Sequence, residues 1–204
     1  MPDLSWAARG DWQSAWDEAV ALVGTDLRPG YEELGADPLE RSVIRRFLEP
    51  LEFDCPLHYD TETARRYGYP DVIAPYSGFP AWLWPALWEP GDPPYYTSDE
   101  RDHLPDFKVF PFPEIGPDTN GKVVTDMETE FFHPFVLGDR LRKVGARLLS
   151  CHPKEGRVGR GAYLTFESDI LGRDNRVLAQ TRTTLYAYVP RADIAKMAEE
   201  ANNA

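Results

Sequence analysis

The sequence predicts an α+β fold, with helices in the first half and an antiparallel sheet after them. Two observations carry this reading. Apolar residues recur at spacings of three and four in segments before residue 70. After Gly121, four stretches rich in Val, Leu, Thr, Phe and Tyr are separated by Gly-containing turns, as in an antiparallel meander.

In chain order, Asp11 to Val23 reads as a helix, with Trp12, Trp16, Ala19, Val20 and Val23 on one face. Asp11 is placed to cap its start and Gly24 to stop it. An acidic connector with Pro29, Gly30, Gly35 and Pro38 follows. Ser42 to Leu51 is periodic again, with Val43, Phe47 and Leu51 on one side and Pro50 at its end. Thr61 to Tyr67 is a short helix, capped by Asp60 and closed by Gly68. Pro70 to Trp88 is apolar nearly all round, the pattern of a buried helix, but Pro80 and Pro85 forbid a long straight one. Residues 89–120 read as a long irregular loop. The predicted strands are Val123–Phe135, Leu141–Cys151, Ala162–Leu171 and Val177–Val189, and Arg191 to Ala204 is a short helical or frayed tail. The expected organisation is an N-terminal helical extension over residues 1–37, one domain over 38–190 and a tail over 191–204.

Composition excludes several classes. With 204 residues, 42% of them apolar, the chain buries a core without disulfides or metal. No apolar run reaches the ~20 residues of a membrane span. Cys55 and Cys151 form no CxxC pair, and Met1-Pro2-Asp3-Leu4 shows no signal-peptide start. A reduced, cytoplasmic protein is expected. The net charge of −12 argues against nucleic acid. The charge is uneven, however: −7 over residues 1–40 and +5 over 139–182. The basic third is able to hold a small anion locally.

No GxSxG, HExxH, P-loop or dinucleotide fingerprint is present. Of His58, His103, His133 and His152, His58 stands out for its surroundings. The segment Phe47 to Asp60, continuing through Ala64 and Gly68-Tyr69-Pro70-Asp71-Val72-Ile73-Ala74-Pro75, resembles the MaoC-like dehydratase/hydratase family. Glu128 to Leu141, containing His133-Pro134-Phe135-Val136-Leu137-Gly138-Asp139, is similar to that family's second signature. The likeness spans about residues 38–190 and is greatest to the N-terminal, dehydratase-like half.

The resemblance implies a hot-dog fold, an antiparallel sheet wrapped around a buried helix, here short or kinked. It implies a substrate that is an acyl thioester of coenzyme A or acyl carrier protein, and water added across or removed from C2–C3. It implies no metal or redox cofactor. In the family an Asp and a His handle the water and the proton, and a glycine amide at the helix start polarises the thioester carbonyl.

Here the pattern Gly-Asp-x-Asn-Pro-x-His becomes Glu52-Phe53-Asp54-Cys55-Pro56-Leu57-His58. His58 survives, Phe53 replaces the Asp, and Asp54 lies one residue out of register. The family's His-Gly becomes Pro75-Tyr76, which leaves Gly78 as the substitute amide. The resemblance therefore implies a subunit of an (R)-specific hydratase or dehydratase that works beside a catalytic hot-dog partner.

Catalytic candidates are His58 and Asp54. Substrate-binding candidates are Gly78, Phe79, Trp82, Trp84, Arg140 and Arg142. Phe79, Trp82, Leu83 and Trp88 are candidate walls of an acyl channel under the 89–120 loop, suited to long or ring-bearing acyl groups. Arg140, Arg142, Lys143 and Arg147 are candidates for coenzyme A phosphates. His133 is read as structural or rim-facing, and Cys55 as packing. Two alternatives stay open: a self-sufficient homodimeric hydratase using His58 with Asp54 or Asp60, and a non-catalytic acyl-thioester-binding protein.

Overall fold

The computed structural model describes residues 2–94 and 112–202. Among the described residues the α-helices are α1 (Asp17–Ala21), α2 (Arg41–Leu48), α3 (Thr61–Arg66), α4 (Phe79–Trp82) and α5 (Arg191–Asn202). The strands are β1 (Glu32–Leu34), β2 (Gly121–Phe131), β3 (Arg142–Glu155), β4 (Gly159–Leu171) and β5 (Val177–Pro190). They form one sheet in the order β1-β3-β4-β5-β2, antiparallel throughout.

Alternating burial along the strands defines the inner face. Leu164, Phe166, Ser168 and Ile170 on β4 stand opposite Leu185, Thr183, Thr181 and Ala179 on β5, and all eight are buried. Two apolar clusters occupy the ends of this face. At one end Trp6, Trp12, Trp16 and Ala19 pack on Leu148, Leu164, Phe166, Leu185 and Val189. At the other, Ile44, Leu48, Val72, Phe79, Trp82 and Leu83 pack on Phe135, Leu141, Ile170 and Ala179. The residues expected as a separate N-terminal extension thus supply much of one cluster, and β1 joins the sheet edge.

Several local expectations are corrected. Asp11–Val23 is a 3-10 turn, Trp12–Trp16, running into α1, and the Asp11 side chain makes no cap bond. Val20 and Val23 are exposed, so the buried face is Trp12, Trp16 and Ala19. In α2 the phase is shifted by one residue: Ile44 and Leu48 are buried, while Val43 and Leu51 are exposed. Burying each of that pair contributes ~1.5–3 kcal/mol, and it is the position of the sheet that puts Ile44 and Leu48, at i,i+4 spacing, in the cluster in place of Val43.

α3 forms as expected, with the Asp60 carboxylate accepting the Thr63 N–H at 2.7 Å and Gly68 in the left-handed region at φ 90°. Pro70–Trp88 shrinks to a 3-10 turn, Tyr76–Gly78, and the single turn of α4. Pro80 fits the first turn, and Pro85 prevents continuation past Leu83. β2 ends at Phe131 because the Phe132 and His133 amides both turn to the Leu178 carbonyl and Pro134 has none to give. β3 and β4 extend beyond their predicted ends and tighten the hairpin between them to residues 156–158. Most of the 89–120 loop, including His103, lies outside the described residues.

Candidate active site

His58 closes the 3-10 turn Pro56–His58 and is buried. Its Nδ1 lies 2.8 Å from the Ile73 carbonyl oxygen, so Nδ1–H donates, and in the neutral imidazole Nε2 carries the lone pair. The support is built from both signatures. The Ile73 N–H donates to the Leu57 carbonyl, Ala74 to Phe135, and Leu137 to Val72, while Ile73 pairs with Val136 across an antiparallel bridge. The stretch at 72–74 is therefore clamped between the His58 turn and the segment after His133.

A cavity of about 360 Å³ opens beside His58, lined chiefly by Leu48, Leu51, Phe53, Leu57, Ile73 and Tyr76. Among the described residues no carboxylate lines it. Phe53 sits with its ring centroid 5.6 Å from that of His58, and the Tyr59 hydroxyl holds its backbone by donating to the Phe53 carbonyl. Asp54 is exposed and does not line the cavity, so the structure does not bring it together with His58. Asp60 is committed to capping α3, and the Thr63 side chain and amide hold its carboxyl below the usual range.

Gly78 has a packing role. Its N–H donates to the Pro75 carbonyl at 3.1 Å, so that amide is not available to a substrate oxygen. A Cβ there would stand 2.2 Å from the Trp82 ring, within contact distance that no side chain tolerates. Gly78→Ala is expected to destabilise the chain by ~1–3 kcal/mol through overpacking, read as a lower urea midpoint with unchanged slope.

Trp82 and Phe79 are likewise core. The Trp82 indole N–H donates to Pro75, its ring packs edge-on against Phe47, and Phe79 sits among Phe131 and Phe135. Leu83 is buried, whereas Trp84 and Trp88 stand at the surface. Of the expected channel walls, Phe79, Trp82 and Leu83 are therefore packed in the core, while most of the loop expected to cover them lies outside the described residues.

The basic candidates are also engaged elsewhere. Arg140 donates to the Gly35 and Ala36 carbonyls and pins the connector before α2. Arg142 pairs with Glu32 at 3.0 Å and bonds Asn175. Burial holds the Lys143 ammonium below its usual range, with Glu33 opposing the shift. Arg147 lines a separate, acidic depression with Asp26, Glu32, Glu167 and Asp169. His133 is half-buried and lines a second cavity, of about 350 Å³, where its Nδ1 accepts from Arg176 at 2.9 Å.

Sequence reasoning missed Tyr76 and Ser77, two hydroxyl residues that also line the His58 cavity. Burial raises the Tyr76 phenol above its usual range, and its ring stacks on Phe131. Their signal was present, two hydroxyl residues directly after Pro75, but it was hidden inside a segment read as one apolar helix.

Cys55 is half-buried, and Cys151 lies in the core with its thiol pushed up to about 11 by burial. At pH 8 a raised thiol stays protonated, and only the thiolate is nucleophilic. Iodoacetamide is therefore expected to leave Cys151 unmodified in the native chain and to reach it in urea, which peptide mass mapping checks.

A five-stranded antiparallel sheet with the remnant of a helix on its inner face is a hot-dog architecture. The chain belongs to the family described as FAS1-like, dehydratase domain region, whose model matches residues 21–181. A UPF0336 protein of Saccharopolyspora erythraea is 28% identical over 159 residues, covering 78% of this chain and 83% of its own length. A probable enoyl-CoA hydratase alpha subunit of Thermomonospora curvata is 28% identical over 172 residues, 84% of this chain. This chain spans about half of that protein, 51%. In fold, the chain is similar to the ChsH1–ChsH2 complex of Mycobacterium tuberculosis, with TM-score 0.56 and 19% identity over 87% of this chain and 91% of the other. Among the described residues no helix is long and apolar enough to cross a membrane.

Proposed function

We propose that this chain is the acyl-pocket subunit of an (R)-specific enoyl-thioester hydratase or 3-hydroxyacyl-thioester dehydratase, acting beside a second hot-dog subunit that carries the acid–base pair. The observation that carries this reading is the cavity beside His58: apolar, lined by no carboxylate among the described residues, with one imidazole whose Nε2 faces no assigned partner there. Hydration of an enoyl thioester needs a base for the attacking water, a proton for C2 and a donor for the enolate oxygen. His58 can serve the first or help orient the water. Phe53 in place of the acid, and a Gly78 amide already bonded to Pro75, leave the other tasks to the partner.

The Thermomonospora relative bears the name of a subunit, which supports this division of labour. So does the edge of β2: among the described residues it pairs with β5 alone, and Val123, Val124 and Met127 along it are exposed. Such an edge favours continuation of the sheet into another subunit. The self-sufficient reading is disfavoured by the positions of Asp54 and Asp60.

The acyl role is tested by binding alone. Saturated acyl pantetheine thioesters, which cannot react, are expected to bind the full chain with affinity rising about fourfold per added methylene, the equivalent of ~0.8 kcal/mol per buried CH₂. Leu51→Asp places a charge at the exposed rim of the cavity and is expected to flatten that dependence. A wild-type affinity that ignores chain length defeats the reading.

A further inference from the structure

We infer that the β4–β5 hairpin turn and the segment at His133 build a phosphate-binding site centred on Arg176. This rests on the thioester reading above for its natural ligand, the phosphate-bearing end of the carrier, while the site's chemistry stands on its own geometry. The second cavity, of about 350 Å³, is lined by Tyr69, His133, Arg173 and Arg176 together with Asp139 and Asp174.

The charged groups there are not equivalent. Arg173 is committed, with its Nε donating to Asp139 Oδ1 at 3.1 Å and its Nη2 to the Leu137 carbonyl. Asp139 is buried, and its other oxygen accepts the Val136 N–H at 2.8 Å. That pair cancels within the wall. Asp174 turns one oxygen to the backbone, accepting the Arg176 N–H.

Arg176 is exposed, and its guanidinium meets one partner among the described residues, His133 Nδ1, with no carboxylate at ion-pair distance. A guanidinium only donates, so Nδ1 holds the lone pair and the imidazole proton lies on Nε2. The wall therefore offers a set of donors: the remaining N–H groups of Arg176, the Nε2–H of His133 and the Tyr69 hydroxyl. A planar fork with spare N–H groups matches two oxygens of a phosphate, and a neighbouring N–H and O–H suit a third.

The two cavities are joined through one structural contact. Val136, which lines this site, pairs with Ile73, whose carbonyl fixes His58. The phosphate role assigned on sequence to Arg140 and Arg142, which are already engaged, passes to Arg176.

The test is calorimetric titration of the full chain with inorganic diphosphate, coenzyme A, 4′-phosphopantetheine and pantetheine. Diphosphate and the two phosphorylated carriers are expected to bind, increasingly weakly as salt rises. Arg176→Ala is expected to weaken them at least about tenfold and to leave pantetheine unchanged. Asp174→Asn keeps the turn's acceptor and removes the opposing charge, so it is expected to tighten diphosphate; this gain also reads the site should Arg176→Ala disturb the turn. Coenzyme A or phosphopantetheine binding tighter than diphosphate assigns the site to a thioester carrier, and equal affinities assign it to free phosphate esters. The proposal falls if the wild type takes up no diphosphate, or if both variants bind it as the wild type does. Acyl pantetheine thioesters carry no phosphate, so their chain-length dependence succeeds or fails independently of this site.

Discussion

The purified chain is expected to hydrate trans-2-enoyl thioesters at least about a thousandfold more slowly than the same chain assembled with a hot-dog partner that retains the Asp and His of the family pattern. Loss of one positioned acid–base group costs ~10²–10⁴ in rate, and loss of an oxyanion donor ~10²–10³ more. Both deficits follow from named residues: Phe53 packed against His58, and the Gly78 amide bonded to Pro75. Co-expression with a small hot-dog protein bearing the intact motif should restore turnover, with light scattering reporting the complex. Turnover by the lone chain at the rate of the complex would sink the heteromeric reading. In that event His58→Ala decides whether Nε2 of His58 is the base.

Trp16→Ala is expected to destabilise the fold by ~3–5 kcal/mol, and Trp16→Phe by less than ~1.5 kcal/mol. Trp16 is fully buried, edge-on to Trp6 at a centroid distance of 5.7 Å. It also lies close over Gly116, where a Cβ would come within 2.6 Å of its ring. Truncation to Ala opens a large void between the N-terminal turns and the inner face of the sheet. The indole N–H of Trp16 finds no acceptor among the described residues. A buried donor without a partner costs ~1–3 kcal/mol, so Phe loses some packing but removes that penalty. Urea unfolding of both variants checks the pair. Equal destabilisation by Phe and Ala would show that the N–H is satisfied and that the ring's edge carries the packing.

Part of the fold was legible because it rests on local pattern. The α3 cap at Asp60, the stop at Gly68 and the alternation along β4 and β5 each depend on residues close in sequence, so period and capping chemistry reveal them. The phase of α2 was not legible. Val43, Phe47 and Leu51 form as regular a stripe as Ile44 and Leu48, and only the position of the sheet decides which stripe is covered. The shortening of Pro70–Trp88 was half legible: Pro80 and Pro85 forbade a long helix, but periodicity could not say that Phe79 and Trp82 would pack in the core.

At the site the same division holds. His58, the replacement of the acid by Phe53, the missing glycine after Pro75 and the signature around Gly138-Asp139 are properties of the sequence alone, and they determined the family and the expectation of an incomplete catalytic set. Only the tertiary structure decided that the Ile73 carbonyl anchors Nδ1 of His58, that Arg140 and Arg142 are already bonded, and that Arg176 meets no carboxylate among the described residues. The reason is physical. The chemistry a residue type can perform is intrinsic to its side chain. Whether a particular arginine or amide is free to perform it depends on partners far away in the chain, 110 positions for Glu32 on Arg142, and those meet only when the sheet closes.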